Sequence, residues 1–277
     1  MALSNLTPEL QPRIRTLPQP YLSVVIPAYN EEARIASTVK ALVDFLSGWS
    51  TVSSGDRTWE LIVVSDGSTD STAQIVTDIS NSDDHIRLID APHGGKGAAV
   101  RHGMDEATGE WRFLCDADLS MPADHLGRFF AGRDAAGQIN GQPEYDVAIG
   151  SREAPGAKRF NEPKSRHVKG RFFNYAVKIL ALRGIEDTQC GFKLFSSEAA
   201  GKLFPHQSLD GWAFDVELLV MAKKAGFTIG EIPIDWYYGE GSKMTLIKGI
   251  LAVVDVARVG MNNLFGKYRI VGRKGEN

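Results

Sequence analysis

Three apolar runs in the first half of the chain each break into a polar cluster: "LSVVIPAYNEE", "ELIVVSDGSTD" and "RFLCDADLS". Stretches with helical periodicity lie between them. "EARIASTVKALVDFL" spaces Ile35, Val39, Leu42 and Leu46 by three or four residues, which puts them on one helix face. Ser68 or Asp70 in "SDGSTD" can cap a second helix, "GAAVRHGMDEA" predicts a third, and "IRLID" and "YDVAIG" add strands. Strands that alternate with helices predict an α/β fold with a mostly parallel central sheet covered by helices on both faces. Ligands of such sheets bind at the carboxyl ends of the strands, which is where this sequence gathers its polar residues. "SGWSTVSSGDRT" reads as a polar linker and "APGAKRFNEPKSRHVKGRF" as a basic loop ahead of a helix, "FFNYAVKILALRG".

The cluster "FLCDADLSMP" sets the chemistry. Asp116 and Asp118 follow an apolar strand with one alanine between them, and alternate residues of an extended segment point to the same side. Two carboxylates sharing one site repel unless a cation lies near them. Hard carboxylate oxygens suit Mg²⁺ or Mn²⁺, and one or two carboxylates with substrate phosphates is a usual Mg²⁺ arrangement. The Ser120 hydroxyl could add a third oxygen; a turn capped by Asp118 is the plain alternative.

Asp66 ends another strand, where its carboxylate can accept a hydrogen bond from the ring N–H of a base. "PHGGKGAAV" is glycine-rich with a lysine, but it lacks the spacing of a phosphate-binding P-loop, and the chain has no G-x-G-x-x-G. What remains is a close-approach loop in which Gly94, Gly95 and Gly97 let backbone near a flat ligand. A formal charge of −3 gives no global attraction to nucleic acid, so any basic site is local. Two cysteines, Cys115 and Cys190, are too few for a disulfide framework.

In order along the chain, "VVIPAYNE", "VVSDGSTD", "GGKGAAVRHG", "DADLSMP", "AIGSR" and "DTQCGFKLF" resemble the motifs of the family 2 glycosyltransferases. The resemblance runs from about Leu22 to Thr245 and implies the GT-A nucleotide-sugar-binding fold. "DTQCGFKLF", "WAFDVELL" and "EGSK" are similar to the dolichyl-phosphate β-glucosyltransferase branch and its polyprenyl-phosphate relatives. The implied reaction is inverting and metal-dependent: a hexose, glucose from UDP-glucose, moves to a polyprenyl or dolichyl phosphate. GDP-mannose as donor, or a hydroxyl acceptor, is the alternative. On this resemblance Pro27, Tyr29 and Glu31 line the nucleoside pocket and Asp66 holds the uracil. Gly95 and Lys96 lie beside the nucleotide, and Asp116 and Asp118, with Ser120, hold Mg²⁺ or Mn²⁺. A nucleotidyltransferase, the nearest rival class, would be expected to carry a glycine-rich basic loop where this chain has "PAYNEE".

A lipid phosphate, with a second pKa of about 6, arrives ionised and needs cations more than a general base. Arg152, Arg166 and Arg171 are the candidates, because guanidinium forks match phosphate geometry. Asp187 is the candidate base or acceptor-orienting group, which with Asp118 and Arg152 completes the expected catalytic set.

The expected organisation is a surface tail over 1–20, the glycosyltransferase domain over 21–245, and a helix with a basic tail over 246–277. "MALSNLTPEL" has no secretory pattern, and no apolar run reaches the roughly 18–20 residues of a membrane span. Eukaryotic glucosyl-lipid members carry an N-terminal membrane anchor, which is not expected here. In Leu246–Phe265, Lys248, Asp255, Arg258 and Asn262 form one narrow polar stripe on an otherwise apolar helix. Such a helix lies in a membrane interface, or packs on the core or on a second subunit of a homodimer. The expected location is cytoplasmic, peripheral on the cytoplasmic face of a membrane.

Overall fold

The computed structural model describes residues 19–52, 57–133, 138–239 and 246–268. Most of the expected N-terminal tail, the "EGSK" motif, the boundary at Thr245 and the basic tail from Arg269 onward lie outside the described residues, as do the side chains of Arg166, Arg171 and Lys248.

Seven strands form the main sheet: β1 (Leu22–Ala28), β2 (Trp59–Asp66), β3 (Ile86–Ala91), β4 (Trp111–Cys115), β5 (Val147–Ser151), β7 (Phe192–Ser196) and β8 (Ile229–Pro233). Their order is β3-β2-β1-β4-β7-β5-β8. The first four strands are mutually parallel, with Leu22 level with both Trp59 and Trp111. β7 runs antiparallel to β4 and to β5, and β5 pairs in parallel with β8. β1 and β5 therefore point the same way, and their carboxyl ends open on one edge of the sheet. Leu22, Val24, Val25 and Ile26 of β1 are all fully buried, as a parallel strand covered on both faces must be.

The helices are α1 (Ile35–Val52), α2 (Thr72–Ser80), α3 (Lys96–Glu106), α4 (Lys164–Leu180), α5 (Ser197–Leu203), α6 (Phe214–Lys224) and α7 (Leu246–Leu264). α3 lies so close to the sheet that a Cβ at Gly103 would stand 2.3 Å from a methyl of Val25. No described helix is long and apolar enough to cross a membrane.

Two expectations about irregular segments need correction. The start of the polar linker, "SGWSTV", continues α1 as far as Val52. Trp49 lies one turn after Phe45 and stands 4.9 Å from the Phe130 ring, with the Arg57 guanidinium 4.7 Å over its own ring. That aromatic packing outweighs the weak helix preference of Gly48 and its serine neighbours. The basic loop is also ordered. Lys158–Phe160 forms β6, which pairs with β9 (Asp235–Tyr237) and stacks Phe160 on Tyr237 at 4.5 Å. α4 then begins at Lys164, directly after Pro163.

Candidate active site

The carboxyl ends of β2, β1 and β4, side by side in the sheet, bring Asp66, Pro27 with Tyr29 and Glu31, and Asp116 with Asp118 to one edge. Asp118 is exposed in the turn after β4; its carboxylate accepts the Ser120 N–H at 3.0 Å, and Leu119 takes a left-handed φ of 43°. The Thr38 hydroxyl of α1 donates to the Ala117 carbonyl at 2.7 Å, fixing the turn from below. Asp116 turns inward. A Cβ at Gly191 would stand only 1.8 Å from Asp116 Oδ2, so glycine there is what leaves room for the carboxylate.

A cation already faces this pair. Lys96 Nζ lies 2.7 Å from Asp116 Oδ1. Burial opposes the charge of Lys96, but Asp116, Asp215 and Asp118 together hold its ammonium above the ordinary lysine range. Burial pushes the Asp116 carboxyl up, against the pull of Lys96. The donor chemistry fits a hard divalent ion. Two carboxylates lie near enough for the Asp118 charge to push the Asp116 carboxyl up, one in a fitted cradle and one open to solvent. Such a site leaves coordination positions for diphosphate oxygens and water. Ser120 is buried, and its backbone, not its hydroxyl, makes the contacts that fix the turn: its carbonyl accepts the Tyr237 N–H at 2.8 Å.

On the nucleotide side, the Asp66 carboxylate accepts the backbone N–H of Gly94 at 2.7 Å and of Gly95 at 3.0 Å. His93 Nδ1 lies 2.9 Å from its carbonyl oxygen and 3.0 Å from Oδ2, and the His93 ring meets Tyr29 at 4.5 Å. Asp66 thus organises the glycine turn, and His93, which carries no sequence signal of its own, joins it to Tyr29. Glu31 lies 2.8 Å from Arg34. The glycines also approach the protein itself closely. A Cβ at Gly95 would meet the Asp210 carbonyl oxygen at 2.7 Å, and one at Gly97 the Leu209 carbonyl oxygen at 2.6 Å. Residues 207–213 strap across the amino end of α3. Gly97 N–H donates to Asp210 O at 2.8 Å, Gln207 Nε2 donates to Gly97 O at 2.9 Å, and Arg101 pairs with Asp210 at 2.8 Å. The strap sets the Trp212 ring 5.2 Å from Lys96 Nζ, an aromatic surface beside the carboxylates that sequence reasoning missed.

A second cluster follows β5. Arg152 Nε and Nη2 donate to the two Asp187 oxygens at 2.6 and 2.7 Å, and the Arg152 backbone N–H adds a third bond at 3.0 Å. Asp187 is fully buried. Burial alone would raise its carboxyl, but the Arg152 guanidinium holds it below the ordinary carboxylate range. With both oxygens held by Arg152, Asp187 orients that guanidinium; of the two roles expected for it, acting as a base is the one this geometry does not favour. Arg152 lies 5.4 Å over the Trp236 ring, and three of its five N–H donors remain after Asp187.

Between the clusters lies a buried pair. Lys193 Nζ stands 2.6 Å from Asp215 Oδ1 and donates to the Cys190 carbonyl. Glu217 faces elsewhere and accepts from the N–H of Ser208 and of Leu209 at 2.9 Å each. Burial pushes the Cys190 thiol up to about 12, which makes it a packing group. The charges therefore alternate in sign from Asp116 through Lys96, Asp215, Lys193 and Asp187 to Arg152, with Asp215, Lys193 and Asp187 buried and the other three half-buried.

The chain has known relatives. Residues 23–204 match the family model described as glycosyl transferase family 2. A dolichyl-phosphate beta-glucosyltransferase of Trichomonas vaginalis is 37% identical over 243 residues, covering 87% of this chain and 71% of that protein. The enzyme of that name from Saccharomyces cerevisiae is 36% identical, covering 90% and 77%, and that from Drosophila melanogaster 34%, covering 94% and 80%. Among solved structures, glucosyl-3-phosphoglycerate synthase from Mycobacterium tuberculosis superposes with a TM-score of 0.60 at 16% identity, over 88% of this chain and 80% of that one. The same synthase has been crystallised with Mn²⁺, UDP-glucose and phosphoglyceric acid. A family match spanning most of the sheet, relatives aligned along most of the chain and the shared GT-A architecture lead to one assignment: this chain belongs to glycosyl transferase family 2.

Proposed function

We propose that the chain transfers glucose from UDP-glucose to a polyprenyl or dolichyl phosphate, with inversion and with Mg²⁺ or Mn²⁺. The observation that carries this reading is the pairing of two unlike sites on one sheet edge. One is a carboxylate pair suited to a cation and a diphosphate; the other is a guanidinium locked in place by a buried carboxylate and suited to a second anion. The names of the relatives support the donor sugar and the lipid acceptor. Asp116 and Asp118 would hold the divalent ion, which when bound takes up charge growing on the leaving diphosphate.

The remaining steps fall to the chain's own residues. Arg152 orients the acceptor phosphate, and Asp187 keeps that guanidinium aimed and charged. One acceptor oxygen attacks the anomeric carbon from the face opposite the diphosphate. The carbon–oxygen bond to UDP breaks as the bond to the acceptor forms. No proton has to be removed from an ionised phosphate, in keeping with an Asp187 held by Arg152 and an Asp215 held by Lys193. Lys96, beside Asp116, is placed to follow the negative charge as the nucleotide binds and leaves. A donor screen with UDP-glucose and GDP-mannose, each with and without polyprenyl phosphate, tests the reading. It predicts radiolabel in the lipid fraction for UDP-glucose alone. Label from GDP-mannose, or label in a water-soluble hydroxyl acceptor only, contradicts it.

A further inference from the structure

Of the described side chains in the polar stripe of α7, Arg258 alone is exposed, while Asp255 and Asn262 are half-buried. Ala252, Val256 and Val259 are buried against the body of the protein, and Asp255 of the stripe is turned toward Gly211. What faces outward is Leu251, Val254, Met261 and Leu264, interrupted by Arg258. Leu264 is 82% exposed. A helix of an ordinary globular protein has an apolar inward face as here, but a polar outward one.

This surface continues onto α4. A Cβ at Gly260 would stand 1.9 Å from the Leu180 carbonyl oxygen, so α7 crosses the carboxyl end of α4 at that glycine. Ile179 and Leu180 are 57% and 42% exposed. Among the described residues, the large exposed apolar side chains concentrate on these two helices, and the few others are scattered singly. Contiguous apolar surface of this kind marks a contact with a membrane or a protein.

Charge decides between the two. A cleft of about 500 Å³ opens where α4, α6 and α7 meet, and Lys178, Arg183, Lys223 and Lys224 line it together with Leu180 and Val220. Lys178 is balanced by Glu186, and Lys223 donates to the Arg183 carbonyl. Arg183 and Lys224 are exposed and have no ion pair among the described residues. The chain as a whole carries −3, so this concentration of cations is local. A symmetric contact between two copies through the cleft would set cation against cation. An anionic bilayer complements both parts, taking the apolar rows below its headgroups and the cations among its phosphates.

We infer that the outer face of α7 and the carboxyl end of α4, with the basic cleft beside them, dock the protein on a bilayer containing anionic lipid. The inference deepens the proposed function, resting on its reading of a membrane-borne acceptor.

Vesicle flotation of the full chain, without substrates, tests it. Phosphatidylcholine vesicles are compared with vesicles that also contain phosphatidylglycerol. The chain should float with the anionic vesicles and be released by salt. Leu264→Glu with Phe265→Glu should lower the floated fraction by about tenfold. Arg183→Glu with Lys224→Glu should abolish the preference for phosphatidylglycerol. All four positions are exposed, so thermal unfolding of the variants should match the parent. Failure of the parent to float on either vesicle overturns the inference, as do variants that float as well as the parent or a dimer that the apolar pair of substitutions dissolves. Transfer to a water-soluble short-chain isoprenyl phosphate separates docking from chemistry. It should survive all four substitutions, and flotation without transfer to any lipid phosphate would leave the docking face standing while removing the acceptor assignment.

Discussion

Asp118→Ala is expected to lower turnover on the order of 10³-fold, the scale of removing one electrostatic stabiliser of transition-state charge, while leaving the fold intact. The separation of the two effects follows from where Asp118 sits. It is exposed, and among the described residues its carboxylate accepts a hydrogen bond only from the Ser120 N–H in its own turn. Its removal therefore empties no core and strands no buried charge. Asp116 would be a poorer probe, because it also neutralises Lys96 and fills the space left by Gly191. Steady-state rates and thermal unfolding of Asp118→Ala should be read together. Turnover within a few-fold of the parent would remove Asp118 from the chemistry.

The second large effect is on stability. Lys193→Met is expected to cost about 3–5 kcal/mol, the usual penalty for removing one partner of a buried ion pair. Lys193 is fully buried and Asp215 nearly so. Methionine retains the stem and takes away the ammonium, leaving the Asp215 carboxylate enclosed with its ion-pair partner gone. Adding Asp215→Asn should recover much of the loss, since contacting residues are not additive. Denaturant unfolding of the two single variants and the double variant measures this. A Lys193→Met variant as stable as the parent would mean that the pair does not hold the region between the two clusters together.

Sequence made some of this site plain and hid the rest, for a physical reason. Asp66, Asp116 and the strand-to-loop transitions around them are written in local periodicity, and parallel strands bring such transitions to one edge. The Arg152–Asp187 pair joins residues far apart in the chain, each within a motif, yet nothing local shows that they bind each other. The strap over Gly95 and Gly97 was equally hidden. Glycine there signals close approach, but the approaching group is a carbonyl of Asp210, more than a hundred positions downstream. α1 reaches Val52 because Trp49 finds Phe130 and Arg57, and β6 exists because Phe160 finds Tyr237. The antiparallel β7 between β4 and β5 is likewise a tertiary outcome. For α7 the sequence left a membrane interface and packing on the protein open: one apolar side packs on the protein, and another apolar side remains exposed.

Calorimetric titration of UDP into the protein, in Mn²⁺ and then in EDTA, tests most directly whether a cation held by Asp116 and Asp118 joins protein to diphosphate. The predicted result is binding weaker by roughly tenfold or more in EDTA, with Asp118→Ala indifferent to the metal. Equal affinity of the unsubstituted protein in the two solutions would contradict it.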